Sequence, residues 1–108
     1  MPKQEMPTGA LMLLILRVLG SGPMHGYAIA QRIHVLSEEV LQIEEGALYP
    51  ALQKTLLNGW ETAEWGFSET GRKVRFYRLT ADGRKQLQEE LSAYNRVHDA
   101  IQSVLRTA

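Results

Sequence analysis

From Ala10 to Leu19 every residue except Arg17 is apolar. Such a run predicts a helix, opening at Thr8 after Pro7, where a hydroxyl can cap it, and stopped by Gly20, Gly22 and Pro23. A helix apolar on nearly all sides must be covered on nearly all sides. A second copy of this short chain is the simplest source of cover. A second helix is expected from about Gly26 to Leu36, with Tyr27, Ala30, Ile33 and Leu36 inside and Gln31, Arg32 and His34 outside. Val40 to Ile43 reads as a short strand. Leu48, Leu52 and Leu56 then fall four apart, one helical face from about Gly46 to Leu57, and Asn58-Gly59 ends it. Trp60 to Trp65 and Val74 to Leu79 read as strands of a hairpin, its loose tip the polar, glycine-flanked stretch from Gly66 to Lys73. Thr80 can cap a last helix that runs to the C-terminus, with Asp82 near its positive end. In it Leu87, Leu91, Tyr94, His98, Ile101 and Leu105 follow a 4-3-4-3-4 spacing, the seam of a coiled coil, which Val97 and Val104 widen.

The order is helix, helix, short strand, helix, hairpin, long helix. It predicts a mainly α fold with a small β-hairpin: a winged helix-turn-helix plus a long C-terminal dimerisation helix. Residues 1–79 would form the winged helix-turn-helix part and 80–108 the dimerisation tail of one compact unit.

Composition adds limits. The chain has 108 residues, 44% hydrophobic and 22% charged, and no cysteine, which excludes a disulfide framework and thiolate chemistry. Its longest apolar run falls well short of the ~20 residues that span a bilayer, and no signal-peptide pattern opens the chain, so a cytoplasmic protein is expected. The net charge of zero conceals a pattern. Between Gly71 and Lys85 stand Arg72, Lys73, Arg75, Arg78, Arg84 and Lys85 against Asp82 alone, while Glu38, Glu39, Glu44 and Glu45 cluster upstream. The basic segment suits either a surface facing a polyanion or a solvated hairpin. His25, His34 and His98 lack ligand spacing, no serine stands in a nucleophile elbow, and the stretch from Glu69 to Lys73 lacks the phosphate-loop pattern. Neither catalysis, a metal nor a cofactor is expected.

Pro50 interrupts a helical pattern, where it donates no backbone hydrogen bond and crowds the carbonyl of Gly46. Glycine is the most forgiving residue at that point. With the leucines turned inward, Gly46, Pro50, Gln53 and Lys54 point the opposite way. That helix start, free of bulky side chains, can approach a phosphate or the major-groove floor.

The segments GPMHGYAIAQRI (Gly22–Ile33), GALYPALQKTLLNGW (Gly46–Trp60) and, from Glu64 to Leu87, EWG followed by GRKVRFYRLTADGRKQL resemble the signature segments of the PadR family of transcriptional regulators. The resemblance covers nearly the whole chain, and the single terminal helix is similar to the smaller subgroup, which includes a multidrug-sensing repressor. It implies a homodimeric repressor that binds double-stranded operator DNA and is released by a small aromatic or lipophilic effector. The implied DNA-binding residues are Gly46, Tyr49, Pro50, Gln53 and Lys54 on the recognition helix, and Arg72, Lys73 and Arg75 on the wing. Leu87, Leu91, Tyr94, Ile101 and Leu105 would form the dimer interface. By the same resemblance Leu13, Arg17, Tyr94 and His98 line an effector pocket between subunits. Arg17 and Tyr94 could equally be structural there, Arg17 in a salt bridge with Glu90 or Asp99. Two other uses of the fold stay open on the residues alone: a constitutive repressor without an effector, and a winged helix that binds protein.

Overall fold

The computed structural model describes residues 4–5 and 9–108. Helix α1 spans Ala10–Leu19. Gly9 caps it with φ at +89°, a conformation that only glycine adopts without strain. Thr8, the expected cap, lies outside the described residues. Helix α2, Gly26–Leu36, keeps its expected bounds. The imidazole of His25 caps it, Nδ1 accepting from the Ala28 amide at 3.3 Å. Its buried residues, however, are Gly26, Ile29 and Ile33. Of the expected inner stripe Ile33 is buried and Ala30 packs against the core, but Tyr27 is 67% exposed and Leu36 is also exposed, and Ile29 turns inward instead. His34, expected outside, is half-buried; its Nδ1 lies 2.9 Å from the Leu41 carbonyl.

Two short strands were not anticipated. Strand β1 (Gln4–Glu5) pairs parallel with β3 (Leu41–Gln42), which is shorter than expected. Strand β2 (Met24–His25) pairs antiparallel with β5 (Lys73–Leu79), giving a sheet of order β2-β5-β4 with β4 at Glu61–Phe67. The hairpin is longer than expected: Phe67 still pairs with Lys73, so the tip shrinks to Ser68–Arg72. There the Ser68 hydroxyl accepts from the Arg72 amide at 3.2 Å and Gly71 takes φ +82°.

Helix α3, Glu45–Leu57, buries Leu48, Leu52 and Thr55. Pro50 falls in its second turn rather than its first, and the helix runs on through it. The price is the helical donor to the Gly46 carbonyl. Helix α4, Ala81–Thr107, opens where Thr80 Oγ1 accepts from the Gly83 amide at 2.9 Å, the cap read from the sequence. The same hydroxyl donates to the Gly59 carbonyl at 2.8 Å. Gly83 is buried so close to the Trp60 carbonyl that a Cβ would run into it.

The core gathers around α1, where Leu13, Ile15, Leu16, Val18 and Leu19 are buried with Ile29, Ile33, Leu48, Leu52, Tyr77, Leu79 and Leu87. Helices α2, α3 and α4 and strand β5 all contact α1. One chain therefore covers most of α1 by itself, and the unmet need for a partner shifts to α4. Beyond Leu87, residues Leu91, Tyr94, Val97, Ile101, Val104 and Leu105 are exposed along one apolar stripe. Among the described residues no helix is long and apolar enough to cross a membrane.

Candidate nucleic-acid interface

The packing of α3 decides what it offers to solvent. With Leu48, Leu52 and Thr55 buried, Gly46, Tyr49, Pro50, Gln53 and Lys54 are all exposed on the remaining surface. A Cβ at Gly46 would meet nothing within 4 Å, so this helix start is open to close approach. Tyr49 is packed as well as exposed: its ring lies against Gly26, where a Cβ would come within 3.1 Å of it, closer than an ordinary contact. Tyr27, on which packing was expected, instead stands out beside it, and both tyrosines line a polar cleft with Gln31, His34 and Glu45.

The hairpin carries the second cationic group. Arg72 and Lys73 are exposed at the tip, and Arg75 lies further down β5. The Arg75 guanidinium stands 5.8 Å from the Trp65 ring centre and Lys73 Nζ 5.3 Å from it. Arg75 is therefore partly engaged with an aromatic ring, whereas Arg72 is free of such a contact. Sequence reasoning missed Trp65 and Phe67 as surface residues, because aromatic side chains in a strand are ordinarily read as core.

The hairpin and α3 are joined by a buried polar contact that had no signal in the sequence. Thr55 of α3 is fully buried and Glu61 of β4 only 2% exposed. Thr55 Oγ1 lies 2.6 Å from Glu61 Oε1 and 2.9 Å from the Leu52 carbonyl. A hydroxyl has one proton to give. The short contact to the carboxyl group takes it: Thr55 Oγ1 donates to Glu61 Oε1, which favours the charged form. Oε2 has no partner. Burial accordingly pushes the Glu61 carboxyl up to about 7 from 4.5, against the lowering effect of the Thr55 contact.

On the opposite side, α1 and α4 enclose an apolar groove of about 690 Å3. It is lined by Leu13, Arg17 and Tyr94, with Glu90, Leu91 and Val97. His98 does not line it, but stacks on Tyr94 with ring centres 5.9 Å apart and planes at 15°. Among the described residues no three His, Cys, Asp or Glu side chains converge as metal ligands.

Residues 15–89, which contain α2, α3, the wing and the start of α4, match the profile of the transcriptional regulator PadR-like family. The chain belongs to that family. Its members are transcriptional regulators and not enzymes, so the exposed face of α3 and the cationic wing belong to a DNA-binding regulator. A transcriptional regulator from Clostridium thermocellum is similar in structure, with a TM-score of 0.81 at 27% identity, over 88% of this chain and 92% of that one. A PadR family regulator from Eggerthella lenta gives 0.77 at 27% identity, over 93% and 85%. An uncharacterised protein of Lysinibacillus sphaericus is 29% identical over 101 residues, 94% of this chain and 93% of its own length. These likenesses extend over the PadR fold with its long terminal helix.

Proposed function

We propose that this PadR-like regulator is a homodimeric repressor that binds a twofold operator and leaves it when a small aromatic or lipophilic effector enters the groove between α1 and α4. The observation that carries the reading is the apolar stripe of α4, exposed from Leu91 to Leu105 in a single chain. A long helix with one such stripe requires an antiparallel or parallel mate, and a second copy has the matching surface. In this reading residues 1–79 engage DNA and 80–108 pair the subunits through Leu91, Tyr94, Ile101 and Leu105, while Leu87, expected in the seam, is buried in the chain's own core.

Each recognition helix would present Gln53 and Lys54 to base edges and phosphates, with Tyr49 donating its hydroxyl to the backbone. The start of the helix at Gly46 and Pro50 would approach the duplex closely. Each wing would lay Arg72, Lys73 and Arg75 along the neighbouring minor groove or its phosphates. Twofold symmetry sets the half-sites about one helical turn apart. Each phosphate neutralised steepens the salt dependence by about 0.9 in log–log slope. Binding of the purified protein to the DNA upstream of its own gene, measured against salt, tests this. Arg72→Ala with Lys73→Ala should flatten the slope by nearly two units per wing engaged. An unchanged slope and affinity would remove the wing from the interface.

The groove supports the effector. It is apolar, half-open and lined by residues of the same stripe, so a second subunit would roof it. Arg17 and Glu90 both border it, which leaves Arg17 able to anchor an acidic group on a flat ligand held against Tyr94. Calorimetry with phenolic acids and planar drugs should give heat with the wild type and none with Tyr94→Ala. Absence of heat with every compound would favour a repressor without an effector.

A further inference from the structure

The two faces of the wing are finished differently. Along the β4–β5 pair, Glu64 faces Phe76 and Gly66 faces Val74 on one side. That side carries its aromatic ring packed down: the Phe76 ring covers Gly66 so tightly that a Cβ would come within 2.8 Å of it, and His25 meets Phe76 edge-on at 5.6 Å. The opposite side holds Glu61 with Leu79, Ala63 with Tyr77, Trp65 with Arg75 and Phe67 with Lys73. Alternation along a strand puts all eight on one face. At its base this face is core, and Glu61 meets Thr55 of α3. Toward the tip it leaves the core behind, and Trp65 is 64% and Phe67 71% exposed. Two large aromatic rings therefore stand in solvent on the side of the wing that looks toward the recognition helix. Two cations, Lys73 and Arg75, stand over the Trp65 ring.

We propose that Trp65 and Phe67, flanked by Lys73 and Arg75, form an aromatic rail that grips the sugar–phosphate backbone of the DNA strand running between the recognition helix and the wing. The proposal rests on the DNA-binding reading above and adds to it the kind of contact made there. A backbone alternates phosphates with deoxyribose rings whose carbon faces are apolar. A surface that alternates cations with aromatic rings matches both at once. The charge pattern selects this occupant: the chain is neutral overall, yet across the hairpin the exposed rings pair with Arg75 and Lys73 of its most basic segment. The cations supply a salt-dependent part of the affinity and the rings a part that salt does not screen.

The test uses the full chain and the DNA upstream of its gene, with binding followed by anisotropy across a range of salt. Phe67 is exposed, so Phe67→Ala should leave the circular-dichroism melt unchanged. It should weaken binding about tenfold at every salt concentration with the slope unchanged, whereas Lys73→Ala should flatten the slope by about 0.9 per wing engaged. In a Trp60→Phe background, which leaves Trp65 as the sole tryptophan, emission should shift when DNA is added. Wild-type affinity in Phe67→Ala together with an unmoved Trp65 emission would overturn the rail while Lys73→Ala still flattened the slope. A Phe67→Ala effect that appeared only in the slope would also overturn it. Failure of the wild type to bind DNA in any salt-dependent way would remove the DNA reading itself, and the rail with it.

Discussion

Glu61→Gln should raise the stability of the folded protein at pH 8 by about 3 kcal/mol and leave it little changed near pH 4. Glu61 is buried between α3 and the wing with one carboxyl oxygen unpartnered. Among the described residues no cation compensates it, and Tyr77, two residues from its cross-strand partner Leu79 on the same face, has its own hydroxyl pushed above the usual phenol range, chiefly by burial. The folded chain therefore holds the Glu61 proton up to about pH 7, against 4.5 for the free carboxyl. Between those values the folded state binds more protons than the unfolded state, so stability falls as pH rises. Below 4.5 the contribution is fully present, and above 7 it is fully lost. The interval of about 2.5 units corresponds to about 3 kcal/mol, or on the order of 10 °C in Tm. Glutamine keeps the shape, accepts the Thr55 hydroxyl proton and never ionises. Melting curves of both proteins from pH 4 to 8 check this. Parallel curves would mean that Glu61 does not titrate in this range.

In the proposed dimer, Leu91→Asp combined with Ile101→Asp should separate the subunits at micromolar concentration and lower operator affinity by at least about a hundredfold. Both residues are exposed in the single chain, so the substitutions remove little from its own core. Across a paired seam, however, each would bury an unpaired carboxylate against apolar side chains, at a cost of several kcal/mol. Separated subunits then lose the effective concentration that links two half-sites, a factor of about 10²–10⁴. Ultracentrifugation reads the first effect and operator titration the second. A variant that sedimented as the wild type does would place the dimer contact elsewhere. Retained tight binding by proven single subunits would remove the twofold operator.

Most of the scaffold was readable along the chain because its signals were local. Thr80 caps α4 as its hydroxyl suggested, Leu48 and Leu52 face inward at their helical spacing, and the Asn58-Gly59 pair ends α3 with Gly59 at φ +76°. The misses depend on tertiary context. Met24 and His25 form a strand only because β5 lies beside them. Tyr27 and Leu36 are apolar by type, yet the packing of α2 turns Ile29 inward instead. Glu61 is a glutamate in a core position, which no charge-based reading would select. On the candidate interface, the exposed residues of α3 and the wing cations followed from periodicity and charge. The bare rings of Trp65 and Phe67 did not, since nothing local marks where a hairpin outgrows its core.

The junction at Gly83 bears on how a signal could cross the molecule. Helix α4 begins flush against the Trp60 carbonyl, and Thr80 ties that start to Gly59. Nothing compliant separates the rod that walls the groove from the hinge of the finger. A compound that levers α4 aside by a degree or two would thus be answered at the far tip of the hairpin, displaced in proportion to its length. Two such fingers, no longer matched to the pitch of one duplex, would let go together.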